Sequence, residues 1–215
     1  MAEEKIKILY VHGYMGHGGG NASMQVKTAL DRRGIAYQLD APQFPVTEPD
    51  EMHKKLAKLI PQYTYVVASS MGAFYAMQYS ERFTILVNPA MPENLRTIRD
   101  KEAGQHPELT DELLDRLEQD KAYFFDTVLG LFGDEYIHTT YFVFGEKDDI
   151  AGNEALLSQY YPLESHMYHA DMGHIMEPAG AEKVADIIEE LEADPPVYVD
   201  RLDAVIADIF RDLDE

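Results

Sequence analysis

Residues 67–72 carry the strongest chemical signal in the sequence. They read Val-Ala-Ser-Ser-Met-Gly, so a β-branched run ends in a small-x-Ser-x-Gly pattern that leads into a helical segment. A serine on such a sharp strand-to-helix turn projects from the edge of a sheet, and small residues two positions before and after it let neighbouring backbone pass close. This spacing selects Ser70 over Ser69, although Ala68 stands where glycine is usual. The pattern predicts that Ser70 is a nucleophile.

A serine on this turn needs a histidine base and a carboxylate that orients the base, in the chain order serine, acid, histidine. Asp148 and Asp149 lie on the loop after the next-to-last predicted strand, and His174 follows the last one. Because the carboxyl ends of parallel strands meet at one edge of a sheet, the three loops should converge. The residues therefore predict a triad of Ser70, His174 and one of the two aspartates.

Acyl transfer through a tetrahedral intermediate also needs backbone N–H groups that stabilise its negatively charged oxygen. The segment Val-His-Gly-Tyr, residues 11–14, ends the first predicted strand at the same sheet edge. We assign the N–H groups of Tyr14 and Met71 as the oxyanion-hole donors. Met15 is the alternative to Tyr14.

The elements that must position these residues alternate between apolar strands and amphipathic helices, which is typical of a parallel sheet covered by helices on both faces. The predicted strands are residues 6–11, 36–39, 63–68, 84–87, 141–144 and 165–169. The predicted helices between them are residues 22–32, 50–59 and 72–79. The sequence therefore predicts an α/β fold with a mostly parallel six-stranded sheet.

One connection in this pattern is too long for an ordinary crossover, and it predicts a helical lid over residues 92–134. Thr110 is expected to cap a helix within it. Seven apolar residues of the lid either line an acyl pocket or pack onto the sheet: Leu113, Leu114, Leu117, Phe124, Phe125, Leu129 and Leu131. In the same segment Arg96, Arg99 and Lys101 form a basic cluster that either attracts an anionic substrate group or pairs with Glu93 and Asp100.

Two amphipathic helices end the chain, separated by Pro195 and Pro196. The last, in a C-terminal extension over residues 195–215, either docks on the sheet or mediates a homodimer. The 215 residues are expected to form one domain, residues 1–215.

Composition excludes several classes of function. The formal net charge of −21 opposes binding to nucleic acid or to anionic lipid headgroups. No apolar run approaches the roughly 20 residues that span a bilayer, and the sequence has no basic, apolar signal segment at its start. With no cysteine there are no disulfides or thiolate metal sites, and a cytoplasmic location is expected.

No cofactor or metal is expected. The glycine-rich residues 16–21 contain neither Gly-x-Gly-x-x-Gly nor Gly-Lys-Ser/Thr, so they do not predict a nucleotide site. His166 and His169 are three apart on a predicted strand and should point to opposite faces, which argues against a shared metal.

Three segments resemble a known family: Ile-Leu-Tyr-Val-His-Gly at residues 8–13, Ser-Ser-Met-Gly-Ala-Phe-Tyr-Ala at 69–76, and Leu-Val-Asn-Pro-Ala at 86–90. They are similar to the YqiA-like small bacterial esterases of the α/β-hydrolase superfamily. The resemblance implies the α/β-hydrolase fold and hydrolysis of a small-molecule carboxylic ester or thioester through an acyl-enzyme intermediate. It also implies that Ser70, Asp148 and His174 form the triad, with Asp148 chosen because it stands three residues after Gly145.

The alternative to a serine hydrolase is a noncatalytic protein of the same fold that binds a ligand or partner through its lid or C-terminal helix. An intact triad favours the enzyme.

Overall fold

A computed structural model describes residues 5–79, 82–102 and 104–194 of the chain. Six strands form its sheet: Ile6–Val11 (β1), Tyr37–Asp40 (β2), Tyr65–Ser69 (β3), Phe83–Val87 (β4), Thr140–Gly145 (β5) and Met167–Ala170 (β6). Their order is β2-β1-β3-β4-β5-β6, and every neighbouring pair is parallel. The predicted six-stranded parallel sheet is confirmed, with strand boundaries that move by at most two residues.

The helices of the described residues are Asn21–Arg33 (α1), Pro49–Leu59 (α2), Met71–Ala76 (α3), Pro92–Lys101 (α4), Asp111–Tyr123 (α5), Leu129–Thr139 (α6), Glu154–Tyr160 (α7) and Pro178–Ala193 (α8). Gly34 ends α1 in the left-handed conformation at φ 68°, which glycine adopts without a Cβ penalty. The prediction for α3 was too long, because the helix ends at Ala76.

Alternation along the strands divides the core between the two faces of the sheet. Ile8 and Tyr10 of β1 face α1 and α8, whereas Leu9 and Val11 face the side covered by α2, α3 and the segment between β4 and β5. All four residues are at most 2% exposed. Burying both faces fixes the strand register, because a one-residue slip would exchange the two sets of side chains.

The long segment between β4 and β5 is helical, as predicted. It comprises α4, α5 and α6, and a single π-helical turn, Phe124–Val128, joins the last two. The Thr110 side chain accepts a hydrogen bond from the N–H of Leu113 at 3.2 Å, which is the predicted cap of α5. The predicted end at residue 134 was wrong, since α6 continues to Thr139 and β5 begins at the next residue. We call residues 92–139 the helical insertion.

The predicted C-terminal extension, residues 195–215, lies outside the described residues. Among the helices that are described, none has the length and apolar character needed to cross a membrane.

Candidate active site

Ser70 occupies the turn between β3 and α3 in a strained backbone conformation. Its φ of 54° and ψ of −126° lie outside the regions that L-residues normally adopt. Two hydrogen bonds hold it there: the Ser70 N–H donates to the Val87 carbonyl at 3.0 Å, and the Ser70 carbonyl accepts from the Ala90 N–H at 3.2 Å. The surrounding backbone thus maintains a conformation that presents the Ser70 hydroxyl above the sheet edge.

Close backbone approach explains the small residues around Ser70. A Cβ atom on Gly72 would collide with the carbonyl oxygens of Val11 and His12, and one on Gly13 would lie 2.7 Å from the Cβ of Ser70. Ala68, where glycine is usual, is fully buried in the core, so its methyl group fits. The local pattern in the sequence therefore reflects the contact of two loops.

His174 and Asp148 complete a chain of hydrogen-bond contacts that begins at Ser70. The Nε2 atom of His174 lies 2.9 Å from Ser70 Oγ. Its Nδ1 atom lies 3.1 Å from Asp148 Oδ2 and 3.2 Å from Oδ1. Because Nδ1 faces a carboxylate, the neutral ring carries its proton there and leaves Nε2 free to accept the Ser70 proton. The structure thus brings together all three residues of the sequence-predicted triad.

The environment of Asp148 favours its charged form. Burial raises the pKa of Asp148, but the hydrogen bonds from His174 and from the N–H groups of Ile150 and Ala151, at 2.8 and 3.1 Å, together lower it below its ordinary value. Asp149 is exposed. Of the two aspartates, only Asp148 contacts His174 among the described residues.

Asn88, which the sequence reasoning did not single out by itself, connects the loops that carry the acid and the histidine. It is 2% exposed and has a φ of 44°. Its Oδ1 atom accepts from the Gly145 N–H at 2.7 Å, and its Nδ2 group donates to the carbonyls of Gly173 and His174 at 2.9 and 3.0 Å. One amide side chain therefore fixes the end of β5 against the His174 loop. The only sequence signal was an asparagine before a proline at the end of a strand.

The predicted oxyanion-hole donors lie on the two loops that touch at Gly13 and Gly72. Among the described residues, no acceptor receives a hydrogen bond from the N–H of Tyr14 or of Met71. Met15 has a φ of 60°, so the chain turns sharply just after Tyr14. Within the described part of the chain, both N–H groups therefore lack a hydrogen-bond acceptor.

His12 holds the loop that carries Tyr14. Its Nε2 atom accepts a hydrogen bond from the Phe44 N–H at 2.9 Å, so the proton of the neutral ring is on Nδ1, 2.9 Å from the Gly13 carbonyl oxygen. Burial, together with the nearby His17 and Lys55, lowers the pKa of His12 despite that contact with Gly13. His12 is thus kept neutral and is a structural residue.

Comparison with known proteins identifies the family of the chain. Residues 7–129 match UPF0227, an uncharacterised protein family. The chain belongs to UPF0227. This confirms the resemblance to the YqiA-like family. A comparison with curated proteins found no match.

Solved structures similar to this UPF0227 chain have the α/β-hydrolase fold. The ydeN gene product from B. subtilis is 17% identical with a TM-score of 0.59, and the match covers 88% of this chain and 100% of that one. Est1E from Butyrivibrio proteoclasticus is 17% identical with a TM-score of 0.62, covering 89% and 88%. The esterase domain of a Rhodothermus marinus protein is 13% identical with a TM-score of 0.55, covering 87% of each. At these identities the likeness establishes the fold, as predicted.

A cleft of about 520 Å³ opens over Ser70 and His174 in the UPF0227 chain. Its walls come from the loop after β1, from the start of α1, from the loops that carry Asp148 and His174, and from the first part of the helical insertion. The insertion contributes four side chains: Leu95, Ile98, Glu102 and His106. The insertion therefore borders Ser70 through α4 and the loop that follows it.

Most of the seven apolar residues of the insertion pack into the core. The other predicted fate was to line an acyl pocket. Leu113, Leu114 and Leu117 of α5 are at most 7% exposed and belong to the core, as do Phe124 and Phe125. Leu129 packs against the same core, whereas Leu131 is 71% exposed. None of these seven residues lines the cleft.

In the basic cluster of the insertion, Arg96 and Arg99 form ion pairs, and none of its three residues lines the cleft. Arg96 pairs with Asp111 and Asp115, and Arg99 pairs with Asp100 and Asp111. The expected ion pair between Arg99 and Asp100 is therefore present. Arg96 instead pairs with two aspartates of α5, which are 15 and 19 positions away in the sequence. The idea that Arg96 and Arg99 attract an anionic substrate has no support, because neither side chain borders the cleft.

The remaining histidines considered as metal ligands have other contacts. His166 stacks on Tyr141 and its Nδ1 atom lies 3.1 Å from the Thr140 carbonyl oxygen, and His169 contacts Glu154 at 3.0 Å. Within the described residues, no group of three His, Cys, Asp or Glu side chains is arranged to hold a metal ion.

Proposed function

We propose that this UPF0227 protein is a serine hydrolase that cleaves a carboxylic ester or thioester through an acyl-enzyme intermediate. The observation that carries the proposal is the continuous chain of contacts from Ser70 through His174 to Asp148, at the mouth of a cleft. The name of one similar structure, the esterase domain of a Rhodothermus marinus protein, agrees with it.

In the first half of the reaction Ser70 Oγ attacks the acyl carbon while His174 Nε2 takes its proton. The N–H groups of Tyr14 and Met71 stabilise the tetrahedral oxyanion. The bond from carbon to the leaving oxygen or sulfur then breaks, and the leaving alcohol or thiol takes the proton from His174. In the second half water attacks the acyl-enzyme, His174 accepts and returns a proton, and Ser70 Oγ leaves as the carboxylic acid is released.

A fluorophosphonate tests this assignment directly, because it needs an activated serine and no knowledge of the substrate. Ser70 Oγ should form a bond to phosphorus as fluoride leaves, and mass spectrometry should find the adduct on the peptide that contains Ser70. Ser70→Ala should abolish both labelling and ester hydrolysis while far-UV circular dichroism stays unchanged.

Ser69→Ala is the matched control. The Ser69 hydroxyl lies 2.9 Å from the Tyr10 hydroxyl and contacts neither His174 nor Asp148 among the described residues, so most labelling should persist. An adduct on Ser69, or hydrolysis by Ser70→Ala, rejects the assignment. A folded wild-type protein that is never labelled supports the noncatalytic binding protein instead.

A small-molecule substrate and a cytoplasmic location belong to the same proposal. That residues 195–215 either dock on the sheet or mediate a homodimer stays a prediction.

A further inference from the structure

Three loops of the cleft each place an exposed aliphatic side chain beside a residue of the proposed machinery. Met15 follows Tyr14 and is 77% exposed, and Ile175 follows His174 and is 72% exposed. Ile150, two residues after Asp148, is 37% exposed. Exposed apolar side chains that cluster at a concave site mark a surface that an apolar ligand covers.

The same apolar character continues into the cleft. Leu95 and Met176 line it and are 1% and 2% exposed, so their contact with the cleft is at its floor rather than at its rim. At 520 Å³ the cleft is within the range of about 300 to 1,000 Å³ that is typical of small-molecule sites. It is therefore large enough to bury an alkyl or aryl group of a substrate.

The charged groups of the cleft are unfavourable to an anion. Among the described residues that line it, none is lysine or arginine, and Glu102 is the one carboxylate. The Glu102 carboxylate is held on the wall by His106, whose Nε2 atom lies 2.9 Å from it. The formal net charge of −21 adds a field of the same sign.

The loop between α4 and α5 is fixed against the loop that carries Tyr14, which keeps Glu102 beside the site. The Tyr14 hydroxyl donates to Glu108 at 3.0 Å and lies 3.3 Å from His106 Nδ1. Burial and the neighbouring Glu108 carboxylate raise the pKa of Tyr14 to about 12, so this donor keeps its proton over the working pH range. The Tyr14 and His106 rings also meet edge to face at 5.6 Å.

We propose that the cleft selects uncharged, apolar esters, because the aliphatic rim of Met15, Ile150 and Ile175 binds the hydrocarbon part and Glu102 repels substrates with a carboxylate. This inference rests on the proposed function, since it describes the substrate class of the same site. It reverses the sequence-based idea of an anionic substrate.

The first experiment compares p-nitrophenyl hexanoate with p-nitrophenyl hemiadipate, which has the same chain length and a terminal carboxylate. At pH 8 and low salt, kcat/KM for the hexanoate should be about tenfold higher or more. Glu102→Gln should lower the ratio of kcat/KM for the hexanoate to kcat/KM for the hemiadipate. Glu112→Gln is the matched control, because it removes the same charge from an exposed position of the insertion outside the cleft, and it should leave the ratio as it was.

The second experiment varies chain length in two series, acyl groups at a fixed leaving group and alcohols at a fixed acyl group. In at least one series kcat/KM should rise by up to about fourfold per methylene, the effect of burying one CH₂ group. Ile175→Ser should flatten that dependence, whereas Leu131→Ser, at 71% exposure but outside the cleft, should not. Because both side chains face solvent, neither change should prevent folding.

The results separate this inference from the proposed function. Hydrolysis that needs Ser70 but treats hexanoate and hemiadipate alike, or that ignores chain length in both series, overturns the inference and leaves the hydrolase intact. If wild type hydrolyses no ester, calorimetry on Ser70→Ala decides the matter: methyl hexanoate should bind more tightly than monomethyl adipate, and equal or absent binding refutes the proposed selectivity.

Discussion

The edge of the sheet that carries Ser70 and the helical insertion above it are built in different ways. At the edge, the loops after the strands touch through their backbones, and Gly13, Gly72 and Gly145 have no room for a Cβ atom. In the insertion, Gly130 and Gly133 face open space, with nothing within 4 Å of an added Cβ. Contacts in the insertion run through side chains, including partly exposed ion pairs such as the one between Arg96 and Asp115.

This difference indicates how sequence change should act on the two regions. Backbone contacts tolerate almost no substitution, because a methyl group displaces a whole loop and with it the geometry of Ser70 and His174. Side-chain contacts can be exchanged one at a time at small cost. The insertion can therefore change the walls of the cleft while the sheet edge keeps Ser70, His174 and Asp148 in place.

The largest effect should come from removing the acid at the sheet edge. Asp148→Asn keeps the shape of the side chain but removes the charge that faces His174 Nδ1, so kcat for ester hydrolysis should fall by about 10⁴-fold. Asp149→Asn is the matched control, and because Asp149 is exposed its kcat should be nearly normal. If Asp149→Asn is the crippled variant and Asp148→Asn is active, the acid must be reassigned.

The next effect is on stability and tests the backbone contact itself. Gly72→Ala places a methyl group against the carbonyl oxygens of Val11 and His12, neither of which can move without shifting β1 or its loop. The free energy of unfolding should fall by about 3 kcal/mol, the upper part of the range for overpacking. Urea denaturation followed by circular dichroism measures it, and a loss below the error of that measurement would contradict the close approach.

These contacts also explain how much of the site the sequence could predict. The turn at Ser70 left a local pattern of small residues, because the backbone of another strand passes close to it. The strands left apolar runs, since both faces of the sheet are buried. Given the order of strands, Asp148 and His174 could then be assigned to loops at the same edge, although their catalytic roles stay predictions.

The rest could not be predicted because it depends on partners that are distant along the chain. Asn88 bonds to residues 57 and 86 positions away, and no periodicity records such contacts. In the insertion, Leu114 is fully buried and Leu131 is 71% exposed, although both are leucines of helices. Which of the two leucines is buried depends on how α5 and α6 pack on the rest of the molecule.

The stability of the loop held by His12 should depend on pH. Because burial lowers the pKa of His12 in the folded protein, the unfolded chain binds a proton first as the pH falls below the ordinary histidine value of about 6.5. The stability that neutral His12 contributes is therefore present above that pH and is lost as the pH falls through the lower folded-state value. Within this pH window, the free energy of unfolding of the wild type should fall relative to that of His12→Gln. The fall should be up to about 1.4 kcal/mol for each pH unit.

Urea denaturation of both proteins between pH 7.5 and 5 measures this difference. The comparison with His12→Gln cancels the titration of the many carboxylates. Parallel stability curves for the two proteins would show that His12 titrates normally in the folded state.

The smallest effect should be a gain in stability from the insertion. Gly130 lies in α6, which continues from α5 through the π-helical turn, so it occupies a helix interior. Glycine is about 1 kcal/mol less favourable there than alanine, and the added methyl group meets nothing within 4 Å. Gly130→Ala should therefore raise the free energy of unfolding by about 1 kcal/mol, which urea denaturation can resolve.

Gly133→Ala is the comparison variant. Gly133 follows the non-helical Phe132 at φ −126°, so the helix is kinked there and the free energy of unfolding should rise by less. A loss of stability in Gly130→Ala would mean that the insertion is as tightly constrained as the sheet edge, and the contrast between the two regions would fail.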